Sequence, residues 1–217
     1  PFTQTSQFTS SSTFSDSNEP VSPSSPTFTP TIPSDVTDIT FNDKNYTENE
    51  SNRTRIEKVI DSNENVNIKV TIIKSEFKEI TNDDGGAIHI KNCGVSCEKT
   101  VFNKCTSNQG GGGAIYVKNS EQLVNNVNFV GLTFNNCQAE YGGGAYVYSS
   151  IKTNKVVFTS CIFNSNIATL TKASNGLFGG SAIFLSAQKG TVKRCNFNDN
   201  NVKIFNNFGT DSKNVKT

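Results

Sequence analysis

Six cysteines, one histidine and one acidic pair are the residues of this chain that could do chemistry. Cys93, Cys97 and Cys105 are spaced as a metal site might space them. No histidine pair or second Cys-x-x-Cys accompanies them, so no metal and no cofactor is expected. The remaining cysteines are Cys137, Cys161 and Cys195. A reduced, buried ladder is the preferred reading, with thiols acting as small hydrophobes. Disulfides stay open, and Cys93–Cys97 is the nearest pair in sequence. Asp83-Asp84 resembles the start of an acidic cleft for polysaccharide cleavage, which needs several carboxylates on one face. Residues 85–205 offer only four acids, Glu98, Glu121, Glu140 and Asp199. No catalytic residue is therefore assigned, and the expected class is non-enzymatic. Asn45-Tyr-Thr, Asn49-Glu-Ser and Asn52-Arg-Thr are three sequons for N-glycosylation.

These groups sit in an uneven chain of 217 residues with net charge +1. The charge hides a split. Residues 1–84 carry 14 acids and 7 bases, net −7, while residues 85–205 carry 11 bases and 4 acids, net +7. All six prolines lie at or before Pro33, and all 16 glycines at or after Gly85. The first 45 residues are rich in Ser, Thr and Pro without a period of 2 or 3.6. Such a segment buries too little apolar surface to offset its ordering entropy and reads as a disordered stalk or linker. Residues 46–69 read as an acidic lead-in and N-terminal cap. Within them Ile56, Val59 and Ile60 fit either a short helix or a strand. Residues 206–217 read as a polar tail, with no capping element evident after Asn201. No apolar run is long enough for a transmembrane helix. The chain starts at Pro1 and reads as a fragment or a processed chain, compatible with further β-helix repeats in a longer parent.

What positions the candidate residues is an internal repeat over 70–205. One anchor is Gly-Gly-Ala-Ile and its variants, at Gly85-Gly86, Gly112-Gly113, Gly143-Gly144 and Gly180-Ser181. The other is Phe followed three residues later by Cys, Asn or Ile, at Phe77, Phe102, Phe134, Phe163 and Phe197. The anchors alternate. Aligned on Phe, Val70, Val95, Val127 and Val156 share a column, and so do Asn103, Asn135, Asn164 and Asn198. Three short strands per copy, with a corner between positions −5 and −2, describe a coil of a single-stranded parallel β-helix. The fold class is thus all-β, about four to five coils, with the asparagines forming an amide ladder along the axis. The glycines occupy sharp corners. Along the strand after Gly-Gly, alternation puts His89, Tyr116, Val147 and Phe184 in one outward column, a candidate ligand face.

The alternating Gly-Gly-Ala-Ile and Phe-x-x-Asn motifs resemble the polymorphic outer membrane proteins of chlamydiae and the related surface proteins of Trichomonas. The resemblance covers roughly residues 70–205. It implies a right-handed β-helix at the cell surface or secreted, acting as an adhesin or surface antigen, and it brings no catalytic residues. Lys91, Lys99, Lys104, Lys118, Lys152, Lys155, Lys189, Lys193 and Arg194 fall mostly in or near corners. On one edge they would form a basic stripe. The expected partner is a host-cell surface protein or an anionic glycan, not a nucleic acid. A pectate lyase-like enzyme and a structural spacer are the alternatives.

Overall fold

The computed structural model describes residues 36–47, 55–59, 67–120, 125–170, 180–205 and 211–216. They form a parallel β-helix of about four turns with no helical segment. Four sheets run along its axis. Sheet I stacks Val36–Asn42, Asn67–Ile73, Gly94–Glu98, Val127–Val130, Lys155–Thr159 and Lys189–Lys193. Sheet II stacks Asn45–Thr47, Glu76–Lys78, Val101–Asn103, Thr133–Asn135, Ile162–Asn164 and Asn196–Asn198. Sheet III begins with Thr81–Asn82, Thr106–Ser107, Gln138–Ala139 and Ile167–Leu170, and continues to Asn201–Phe205. Sheet IV stacks Ile56–Val59, Ile88–Lys91, Ile115–Asn119, Ala145–Ser149 and Ile183–Ala187.

Each turn therefore has four strands where the sequence indicated three. The extra one, in sheet III, is only two residues long in three of the turns. A pair of residues carries no readable alternation. The corner expected between sheets I and II is present. It consists of one left-handed residue per turn: Asp43, Lys74, Lys99, Gly131, Ser160 and Arg194, all at positive φ. A second left-handed corner, Glu79, Lys104, Asn136, Ser165 and Asp199, separates sheets II and III. Positive φ is uncommon outside glycine. Here it recurs because one such residue turns the strand and lets the chain resume extended pairing.

The helix also extends beyond the 70–205 boundaries. Val36–Asn42 pairs in register with Asn67–Ile73, and Asn45–Thr47 with Glu76–Lys78. Residues 36–45 are thus strand and corner rather than part of a stalk. The Ser/Thr/Pro-rich residues 1–35 lie outside the described residues. Residues 56–59 resolve the helix-or-strand choice as a strand of sheet IV, with Ile56 buried. At the other end Asp211–Lys216 folds back antiparallel on Asn201–Phe205, so the polar tail closes the edge of sheet III.

The core is built from columns. Tyr46, Phe77, Phe102, Phe134, Phe163 and Phe197 stack ring on ring, with centroids 4.5 to 5.2 Å apart. Val70, Val95, Val127 and Val156 line the inner side of sheet I, all essentially solvent-free. Burying one such side chain is worth about 1.5–3 kcal/mol. The strict repetition of these residues is what drives the coil.

Candidate ligand face

The outer face of sheet IV carries three of the four residues expected on the candidate ligand face, and it corrects the fourth. Pairing places Glu57, His89, Tyr116, Tyr146 and Phe184 in one column. Val147 instead pairs with Val117 and Leu185 and is fully buried, facing the core. The register slips by one because three glycines, Gly142, Gly143 and Gly144, permit two alignments. The structure uses Gly142, at φ 57, in the corner column with Gly85 and Gly112. Gly143 then stacks with Gly113 and Gly86, and Gly144 occupies the position of Ala87 and Ala114.

Tyr116, Tyr146 and Phe184 stack nearly parallel, with centroids 4.9 and 4.7 Å apart. The glycine turns pack against this stack: a side chain at Gly111 would meet the Tyr146 ring at 2.6 Å. Tyr146 and Phe184 stay half-buried, whereas His89 and Tyr116 are nearly covered. Two residues along each strand, on the same face, run Lys91, Lys118, Tyr148 and Ser186. This column ends in a groove of about 350 Å³ lined by Tyr148, Ser150, Ser186 and Gln188. An aromatic column and a lysine–tyrosine column thus lie side by side. Tyr148 was not read from the sequence, although its alternation with Tyr146 would have shown it once the register was right.

The N-terminal end of the face is a polar cluster. Arg55 donates to Glu57 at 2.9 Å and to the Asp83 carbonyl at 2.7 Å. His89 Nδ1 donates to Glu57 Oε1 at 3.0 Å, while its Nε2 is buried without a partner. Burial pushes the His89 pKa down, the charges of Arg55 and Lys91 add to this, and Glu57 and Asp84 oppose it. The folded protein therefore takes up this proton less readily than the unfolded chain. Stability contributed by neutral His89 is complete above the unfolded value of about 6.5 and is lost as pH falls below it. The loss can reach about 1.4 kcal/mol per pH unit for one proton. Urea midpoints compared between pH 7.5 and 5.5 should drop in the native chain and drop less in His89→Gln. An equal drop in both would remove His89 as the cause.

The other expected residues fall as follows. Asn135 donates to Asn103 at 2.8 Å, Asn164 to Asn135 at 2.9 Å and Asn198 to Asn164 at 2.8 Å. Asn103 ends the ladder on the Glu76 carboxylate at 2.9 Å. A second, buried set explains why either Cys or Asn stands three residues after Phe102, Phe134, Phe163 and Phe197. The Cys105 thiol reaches the Phe77 carbonyl and Cys137 that of Phe102, at 3.6 and 3.7 Å. Asn166 and Asn200 donate to Phe134 and Phe163 at 3.1 and 2.9 Å. Either side chain thus satisfies the same carbonyl one turn back. None of the six cysteines is disulfide-bonded, and burial pushes the Cys97 thiol up to about 12.

Asp83 is exposed, and Asp84 Oδ1 accepts the Gly111 N–H at 3.1 Å, bracing the glycine turn of the next coil. The lysines do not share one edge. Lys91 and Lys118 pair on sheet IV, Lys155 and Lys189 on sheet I, and Lys99 and Arg194 share the first corner, with Lys104 in the second. Asn45 is an exposed strand residue, and Asn49 and Asn52 lie outside the described residues. Comparison with family models, curated proteins and solved structures finds no match.

Proposed function

We propose that this is a non-enzymatic display domain, at the cell surface or secreted, which binds an anionic glycan along the outer face of sheet IV. The reading rests on one observation: the ring column Tyr116–Tyr146–Phe184 runs beside Lys91 and Lys118, leading into the Tyr148 groove. The rings stack face to face, so a sugar meets the edges of the half-buried Tyr146 and Phe184 and the Tyr148 hydroxyl, which can donate and accept hydrogen bonds, and lysines two strand positions from the rings supply attraction for sulfate or carboxylate. Adjacent rungs are about 4.8 Å apart, so a linear chain can lie along several of them. Each exposed ion pair contributes at most about 1 kcal/mol. Binding is therefore weak, multivalent and sensitive to salt. The repeat motifs and the sequence resemblance support a place in adhesion or antigen display.

Retention on immobilised heparin, followed by a glycan array, tests this. The chain should elute above physiological salt, and Lys91→Gln with Lys118→Gln should bring elution clearly lower. Lys155→Gln with Lys189→Gln, on sheet I, should do so less. Equal losses from both pairs would assign retention to overall charge and reject the face. A chain that flows through, yet is captured by a cell-surface protein, would replace the glycan. Turnover of polygalacturonate that is lost in Asp84→Asn would replace the non-enzymatic reading.

A further inference from the structure

Positive charge on the outer face of sheet IV is confined to one short stretch. Beside the ring column, the second outward column runs Val59, Lys91, Lys118, Tyr148 and Ser186. Its cations occupy two adjacent rungs, about 4.8 Å apart. Lys118 is exposed and Lys91 half-buried, and neither forms an ion pair among the described residues. On the rung before them stand Glu57 and Val59. Arg55, at that end, is taken up by Glu57 and by the carbonyls of Asp83 and Asp84. On the two rungs after them stand Tyr146, Tyr148, Phe184 and Ser186, none of them charged. Both columns point away from the axis, so what stacks on either end of the solenoid does not set their direction.

A ligand lying along the face must match this order. A polymer with an acid on every unit sets one anionic group against the lysines and the next against Glu57 or against rungs that carry no cation. Like charge at Glu57 repels it. A sulfate or carboxylate over Tyr148 and Phe184 loses hydration without gaining an opposite charge. A chain with its acid at one end only meets neither cost. Two ammonium groups on flexible stems can close on that one acid. Behind it, the hydroxyls of Tyr148 and Ser186 both donate and accept hydrogen bonds, which suits uncharged sugar units.

We propose that the glycan taken by this face is an uncharged oligosaccharide that ends in a single carboxylated sugar. The carboxylate lies between Lys91 and Lys118, and the neutral units run toward Tyr148 and Ser186. This rests on the glycan reading of sheet IV, and adds to it the class of glycan and the direction in which the chain lies.

Ligand-observed NMR titration of the full chain at physiological salt tests it with three probes: lactose, sialyllactose, which is lactose capped by one carboxylated sugar, and a heparin tetrasaccharide. Sialyllactose should bind about tenfold tighter than lactose, the sum of two exposed ion pairs. It should bind at least as tightly as the heparin fragment, whose affinity should fall more steeply with added salt. Lys91→Gln and Lys118→Gln should each cost sialyllactose up to about fivefold and leave lactose unchanged. Tyr148→Phe should weaken sialyllactose and lactose by the same factor. Heparin binding that depends on Lys91 and Lys118, with no gain of sialyllactose over lactose, would overturn this proposal and leave the glycan face standing. A gain over lactose that survives both lysine substitutions would overturn it by placing the acid elsewhere. Binding of none of the three probes would overturn the proposal and the glycan face together.

Discussion

Phe134→Ala is expected to destabilise the β-helix by about 3–5 kcal/mol, a large part of the 5–15 kcal/mol typical of a folded domain. Phe134 has no exposed surface, and its ring lies between Phe102 at 5.0 Å and Phe163 at 4.6 Å. Truncation leaves a void that the neighbours cannot close, because each Phe backbone is held by strand pairing to the turns on both sides. Each turn contacts only its neighbours, so the defect falls on the joint between halves of the solenoid. Urea unfolding followed by circular dichroism would show a lower midpoint. The control is Phe197→Ala, at the same column but 49% exposed, where the loss should be well below half as large. Equal losses from the two would mean that the ring stack is not what holds the turns together.

That stack was legible in the sequence because Phe recurs with the same neighbours at each copy. The same holds for the Asn ladder and the valine wall, which need only a fixed offset from Phe. What escaped has particular causes. The first turn was missed because Tyr46 stands where later turns have Phe, and no Gly-Gly anchor accompanies it. The second corner was missed because Glu79, Lys104, Asn136, Ser165 and Asp199 share a backbone angle but no side-chain type. The candidate ligand face was only half legible. Its position on the strand after Gly-Gly was readable, but three successive glycines erased the register that distinguishes Tyr146 from Val147. The neighbours that give the face its charge pattern, Arg55 and Glu57, come from a strand that also fits a helical spacing. Function is harder still, since a periodic scaffold fixes its interior by repetition and leaves its outer face to vary.

The glycines provide the second large effect, and they divide into two kinds. Gly113→Ala is expected to destabilise by about 1–3 kcal/mol or more, through overpacking with no room to relax. A Cβ there would lie 2.1 Å from the Gly143 carbonyl oxygen and 2.6 Å from both N and O of Gln138, all of them backbone. Gly113 does not adopt positive φ, so the cost comes from contact rather than conformation. Its column neighbours Gly86 and Gly143 are crowded in the same way, at 2.4 and 2.3 Å from the carbonyl of the following turn. The next member is Ser181, buried beside the last rung of sheet IV among the described residues, the one position of the column that carries a side chain. Gly131 is the opposite case. Its φ is 61, but a Cβ would meet nothing nearer than the Lys99 Cγ at 3.9 Å. Lys74, Lys99, Ser160 and Arg194 hold the same corner without difficulty. Gly131→Asn should therefore shift stability by no more than about 0.5 kcal/mol, since asparagine tolerates the left-handed region. Thermal melts of the two variants separate the explanations. If Gly131→Asn costs as much as Gly113→Ala, backbone angle rather than close packing of successive turns is what the glycines supply. If only Gly113→Ala is costly, the Gly-Gly anchor persists because at that corner the backbones of adjacent turns are too close for any side chain.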